Sequence, residues 1–277
     1  MIEIIAEIGI NHNGDYATAC ALADMAKRCG CDIVKTQLWD TERVYPRDKW
    51  DEMKALELSR GEIAALKAYC DSIDIEFLCT PDEIEDAYFL KEIGVKRIKT
   101  SSQDVTNLVY LRQIGELGLP VILSTGASTE DEMLAAIVAV GGYGYHRHDK
   151  SNPLTVLHCI SCYPAPLNQM NLLTIAYLRS AFHGRIGLSD HSEGLIAALI
   201  ALGMGATMFE KHITFDNFAP GPDHHASADE IDLVEYVTSL RLGDRALGDG
   251  IKRIMPCEVD NRKRYDVFTA PRKVVTC

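Results

Sequence analysis

Two lysines interrupt runs that are otherwise largely aliphatic: Lys35 within Asp32 to Gln37, and Lys99 within Arg97 to Ser101. An ammonium group buried in such a run costs several kcal/mol of desolvation unless it meets an anion. Four hydroxyl residues, Thr80, Ser102, Ser124 and Ser189, stand at the ends of comparable runs. Two cations ringed by hydroxyls describe a pocket for a small, multiply charged anion such as a phosphate ester. One strand-end lysine is ordinarily a solvated rim residue; two of them in adjoining clusters with serines favour the pocket. The second constellation is His191 and His212, with Glu7, Glu210 and Asp223 as oxygen donors or supporting partners. Most histidines bind no metal, but two on neighbouring strand ends can share a divalent ion with water and a carboxylate. A mixed nitrogen and oxygen site of that kind suits Mn²⁺, Mg²⁺ or Co²⁺ better than a closed structural zinc.

The elements that must bring these residues together can be read from periodicity. Short runs rich in Ile, Val and Leu alternate with amphipathic segments about eight times, as βα units do. The predicted strands are Ile2 to Glu7, Asp32 to Gln37, Ile75 to Cys79, Arg97 to Ser101, Pro120 to Ser124, Thr155 to Cys159, Arg185 to Ser189 and Thr207 to His212. Capping-box spacing at Ser59-x-x-Glu62, Thr129-x-x-Glu132 and Ser227-x-x-Glu230 marks helix starts. Met133, Ala136, Ile137 and Val140 fall on one helix face, as do Leu22, Met25, Ala26 and Cys29 before Gly30. Eight such units predict an α/β fold, a (β/α)8 TIM barrel over residues 1–250 with a tail at 251–277. In that fold the C-terminal strand ends share one face, so Glu7, Lys35, Gln37, Thr80, Lys99, Ser102, Asp104, Ser124, Tyr163, Ser189, His191 and His212 converge. The least regular stretches are Leu38 to Leu58, which follows a strand, and Tyr143 to Asn152, which precedes one and belongs to the opposite, stability face.

The formal charge of -12 excludes bulk nucleic acid and anionic membranes as partners, so any cationic site for a small anion is local. The start has no basic segment followed by a long apolar stretch, and no segment approaches 18 uncharged apolar residues, which predicts a cytoplasmic protein. Nine scattered cysteines read as reduced thiols, many of them in the core. Cys159-x-x-Cys162 lacks the second pair a zinc finger needs.

The motifs, in order, resemble those of the N-acetylneuraminate (sialic acid) synthases, with the related legionaminate and pseudaminate synthases. They are Ala6-Glu7-Ile8-Gly9-x-Asn11-His12-x-Gly14, Lys35-x-Gln37, Lys99-x-x-Ser102 with Asp104-x-Thr106-Asn107, and Leu123-Ser124-Thr125-Gly126. Leu157-His158-Cys159-x-Ser161-x-Tyr163-Pro164-x-Pro166, Ser189-Asp190-His191, Glu210-Lys211-His212 and Gly221-Pro222-Asp223-His224 complete the set. The resemblance implies a phosphoenolpyruvate pocket at Lys35, Thr80, Lys99, Ser102, Ser124 and Ser189 with Gln37 beside it. It implies metal ligands at His191 and His212, with Mn²⁺ the expected ion and Mg²⁺ or Co²⁺ as alternatives. Asp104 and Glu7 match carboxylates of the reacting site, and Tyr163 and Asp223 match contacts to the open-chain amino sugar. The family also carries a C-terminal antifreeze-like domain that reaches into the partner subunit. Residues 251–277 look like the junction to that domain, so a homodimer is expected, with a separate protein as a further means of completing the sugar site. Thr36 and Gln103 depart from the residues expected there.

The resemblance therefore implies a metal-dependent synthase that joins phosphoenolpyruvate to N-acetylmannosamine or a related aldose, releasing phosphate. Two rivals stay open: a barrel catalysing metal-assisted hydrolysis, which has no use for paired lysines, and a catalytically silent barrel that binds phosphoenolpyruvate or a sugar acid and acts through a partner.

Overall fold

In the computed structural model, which describes residues 2–141, 154–182 and 184–269, eight parallel strands alternate with helices. The strands are β1 (Glu3–Gly9), β2 (Ile33–Leu38), β3 (Glu76–Pro81), β4 (Ile98–Thr100), β5 (Val121–Ser124), β6 (Leu154–Cys159), β7 (Arg185–Asp190) and β8 (Met208–His212). Each lies where the hydrophobic runs put it, with no end shifted by more than two residues. The ladder order is β3-β2-β1-β8-β7-β6-β5-β4, and β3 packs beside β4, so the sheet curls into a nearly closed barrel. The expected loop Tyr143 to Asn152 lies outside the described residues. The chain divides into two compact units, Met1–Arg245, which holds the barrel, and Ala246–Cys277. In the second unit, Arg253 pairs with Asp249 at 2.8 Å and a helix spans Val259–Thr269.

The helices form where the local chemistry directs. Ser59 and Glu62 make the reciprocal capping box before the helix Arg60–Ser72, and Thr129 and Glu132 do the same before Glu130–Ala139. The third expected box does not form. Ser227 Oγ donates to the Asp223 carbonyl and accepts from Asn11, and Glu230 pairs with Arg28 on the surface. Asp229 accepts from the Asp232 amide instead, taking the cap of the helix Glu230–Leu247. A hydroxyl that is needed to pin one loop to another is not free to cap.

Period-two alternation sorts the barrel interior into levels. At the N-terminal end, Arg97 donates to Glu3 and Glu76, and Arg185 donates to Glu3. Burial alone would raise the Glu3 carboxyl, but these guanidinium hydrogen bonds hold it below its ordinary value. One level up, Ile5, Ile33, Leu78, Ile122, Leu157 and Met208 form a separate apolar floor. Gly187 belongs to this level because a Cβ there would lie 2.3 Å from the Met208 carbonyl and 2.5 Å from Leu157. The larger core, outside the sheet, buries the helix faces read from periodicity, among them Leu22, Met25, Ala26, Met133, Ala136 and Ile137.

Candidate active site

Directly above the floor, the same columns turn polar. Glu7, Lys35, Thr80, Ser124, Cys159 and Glu210 each sit two residues beyond a floor residue, and Lys99 rises from the floor level, where it is the strand partner of Ile122. They line a cavity of 350 Å³ at the C-terminal mouth, together with Gln37, Asp82, Ser102, Gln103, Ser161, Tyr163, Ser189, His191, His212 and Asp223.

The lower part is an ion network shielded from water. Lys35 Nζ lies 2.7 Å from Glu7 and 3.8 Å from Glu210, and the side chains of all three are at most 5% exposed. Lys99 Nζ donates to Ser124 Oγ at 2.6 Å and to the Thr100 carbonyl at 2.9 Å, with Glu210 at 3.8 Å. Lys35 also donates to Thr80 Oγ1, and Ser189 Oγ donates to Glu210 at 2.9 Å. Burial opposes every charge here, and the neighbours decide each outcome. Lys35 and Lys99 together outweigh burial at Glu210 and hold it down to about 2. At Glu7 burial prevails over Lys35, helped by the Glu210 charge, and its carboxyl is raised. Glu210 and Glu7 raise the Lys35 ammonium despite burial, whereas Lys99 is lowered, because burial and Lys35 outweigh Glu210. Lys99 is thus a buried cation whose surroundings only partly offset its charge.

The upper part is built on imidazoles. His191 and His212 have ring centroids 5.5 Å apart, Tyr163 stacks on His191 at 4.1 Å, and His212 Nδ1 lies 3.6 Å from Asp223. His191 Nδ1 is 2.8 Å from the Ile160 carbonyl, which can only accept, so Nδ1 carries the proton and Nε2 keeps the lone pair. Burial and the neighbouring His212 push His191 down to about 4, and burial lowers His212 as well, so both rings are neutral at pH 7. Gly9 makes this packing possible. Its φ is +55°, and a Cβ would lie 3.3 Å from both His212 and Asp223. Among the described residues no three His, Cys, Asp or Glu side chains converge as a complete ligand set. Two neutral imidazoles, one with a buried Nδ1 that has no hydrogen-bond partner, nevertheless fit a divalent ion whose remaining ligands are water or substrate oxygens.

Of the residues singled out from sequence, Asp104 alone does not line the cavity. Its carboxylate turns back to accept from the Ser101 amide at 3.0 Å, capping a short helical turn, and burial raises it to about 6. Asp82, the last residue of the Thr80-Pro81-Asp82 strand end, lines the cavity and is raised to about 7 by burial and by Asp104. Sequence reading gave it no role, although its strand-end position was visible. Glu210, one of the expected oxygen donors or supporting partners of the histidines, stands 3.8 Å from each lysine and shares the Ser189 hydroxyl with His191. Ser102 Oγ accepts from the Gly126 amide, and Gln37 reaches Glu7 at 3.4 Å.

The family model for the NeuB family matches residues 22–252. The chain is 38% identical over 259 residues to an uncharacterized protein of Methanocaldococcus jannaschii, covering 93% of this chain and 75% of that one. It is 37% identical over 266 residues to the N,N'-diacetyllegionaminic acid synthase of Legionella pneumophila, covering 90% and 74%. The crystal structure of the N-acetylneuraminic acid (sialic acid) synthetase of Leptospira borgpetersenii in complex with citrate matches with a TM-score of 0.88 at 32% identity, covering 98% of this chain and 93% of that one.

Proposed function

The chain belongs to the NeuB family, and on that premise we propose that it condenses phosphoenolpyruvate with an open-chain aldose, N-acetylmannosamine or a related sugar. The products are a 3-deoxy-2-keto sugar acid and inorganic phosphate. The observation that carries this reading is the pair Lys35 and Lys99, two lysines at most 4% exposed within one small cavity. A cavity that buries two ammonium groups is matched to a substrate carrying both a phosphate and a carboxylate.

In the proposed reaction, C3 of phosphoenolpyruvate bonds to the aldehyde carbon, whose oxygen takes up a proton. Water then adds at C2, losing a proton, and as the C–O bond to phosphate breaks the new C2 hydroxyl passes its remaining proton to the departing phosphate and becomes the ketone. Lys35 and Lys99, with Thr80, Ser102, Ser124 and Ser189, hold the phosphate and carboxylate and fix C3 against the aldehyde. Glu7 is the better placed of the two candidate proton carriers, since it lines the cavity and burial raises its carboxyl toward the working pH. Asp104 supports the rim through Ser101. His191 and His212 would hold the divalent ion, Mn²⁺ by preference with Mg²⁺ or Co²⁺ as alternatives; when bound, it supplies Lewis-acid polarisation of a carbonyl oxygen. Tyr163 and Asp223, at the outer end, contact the sugar. The reading extends to a cytoplasmic homodimer, with a further protein completing the sugar site as the alternative arrangement.

Phosphate release from phosphoenolpyruvate across a panel of aldoses tests the reaction. Aldose-dependent release together with a new keto acid supports it. Tight phosphoenolpyruvate binding with no release for any aldose would replace it with the catalytically silent barrel.

A further inference from the structure

The middle residues of the Ser189-Asp190-His191 and Glu210-Lys211-His212 motifs have no part in the cavity. β7 and β8 run in register, Ser189 beside Glu210 and Asp190 beside Lys211. Ser189, Glu210 and both histidines line the lumen, so by alternation Asp190 and Lys211 turn outward, toward the helix Glu230–Leu247. There Lys211 Nζ lies 3.6 Å from Asp190 Oδ2 and 5.6 Å from the centre of the Tyr236 ring, with the two side chains 3% and 0% exposed. Asp190 Oδ1 accepts from the Ser192 amide at 2.9 Å and from its hydroxyl at 2.6 Å, and Lys211 donates to the Ser192 carbonyl.

From this geometry we infer that Asp190 and Lys211 are positioning residues, which set the separation of His191 and His212 for a shared divalent ion. Lys211 is the chain neighbour of His212, and Ser192 is the chain neighbour of His191. A single ammonium therefore ties together the backbone beside both imidazoles, and Asp190 fixes the turn after His191 from the same side. Burying an ion pair where apolar side chains would pack contributes little to stability, whereas it holds one registry of the two strand tips. The inference rests on the metal-dependent reading of the site.

The test is the binding of Mn²⁺ alone, by calorimetry and electron paramagnetic resonance, to the full chain and to Asp190→Leu/Lys211→Met. The variant is expected to keep the circular dichroism and melting temperature of the parent, while Mn²⁺ affinity falls roughly 10- to 100-fold, the scale for losing a residue that orients a ligand. Phosphoenolpyruvate affinity measured without metal should stay within about threefold, since the lysines of the cavity are untouched. A folded variant with unchanged Mn²⁺ affinity overturns the inference and leaves the reaction standing. If the parent binds no Mn²⁺, the inference and the metal reading fall together, and phosphate release in chelator then decides the condensation separately. Should the double variant not fold, Lys211→Arg keeps the charge but shifts its donors away from the Ser192 carbonyl. Weakened Mn²⁺ binding in that variant supports the inference, and unchanged binding overturns it.

Discussion

Lys35 and Lys99 occupy one cavity, yet replacing them should affect stability very unequally. Lys35 has Glu7 at 2.7 Å and Glu210 at 3.8 Å, which at an effective dielectric constant near 20 amounts to gross attractions of about 6 and about 4 kcal/mol. Lys99 has Glu210 at 3.8 Å, about 4 kcal/mol on the same scale, with a weaker attraction to Glu7, and it is repelled by Lys35. Desolvation costs each ion several kcal/mol, so the balance favours Lys35 and opposes Lys99. Lys35→Met should therefore destabilise the free protein by about 3 to 5 kcal/mol, because it strands Glu7 and leaves Glu210 with Lys99 and Ser189. Lys99→Met leaves Glu210 with Lys35 and Ser189 and removes a cation whose burial is only partly offset, so it should change stability far less than Lys35→Met. Both changes should weaken phosphoenolpyruvate binding by about 2 to 5 kcal/mol, since each removes a partner of the bound anion. Thermal unfolding of the free variants gives the first quantity, at roughly 2 to 4 °C per kcal/mol for a chain of this size. Titration calorimetry gives the second. A strongly destabilised Lys99→Met that still binds phosphoenolpyruvate normally would show that Lys99 is structural, and the reasoning from its half-offset charge would be refuted.

Three further outcomes follow from the same geometry. His191→Ala and His212→Ala should each lower turnover at least about 100-fold with circular dichroism unchanged, because barrel-mouth residues serve chemistry more than stability; full activity of the parent in chelator would count against this. Gly9→Ala should cost about 1 to 2 kcal/mol for its left-handed backbone and lower turnover further, because its Cβ would crowd His212 and Asp223. A kcat equal to the parent's would show that the imidazole tolerates the crowding. Asp82 is raised to about 7 in the fold, so its carboxylate opposes folding at high pH. That penalty grows as pH rises from about 4 to 7 and is full above it, which gives Asp82→Asn an advantage on the order of 2 to 4 kcal/mol at pH 8 that disappears near pH 4. Parallel stability curves for the two proteins across that range would place the Asp82 carboxyl outside the crowded environment.

Periodicity alone determined the barrel. Alternating aliphatic runs and amphipathic segments admit few arrangements, and the strand ends then converge by topology, so Lys35, Lys99, His191 and His212 could be grouped although they are far apart in the chain. Side-chain alternation is a local property, and a sequence carries it completely. What the tertiary structure decided are relations across strands and through space. That Glu210 stands between the two lysines depends on the stagger of β8 against β2 and β4, which no single segment encodes. The cap expected at Ser227 went to Asp229 because Asn11, more than 200 residues earlier in the chain, reaches the Ser227 hydroxyl. Asp104 does not line the cavity, because the short turn Ser102–Asp104 engages its carboxylate with the Ser101 amide, whereas Asp82 does line it. Likewise Asp190 and Lys211 are legible as outward-facing residues, but only the register of β7 on β8 makes them partners, because an ion pair depends on distance and burial, and both are set when the strands meet.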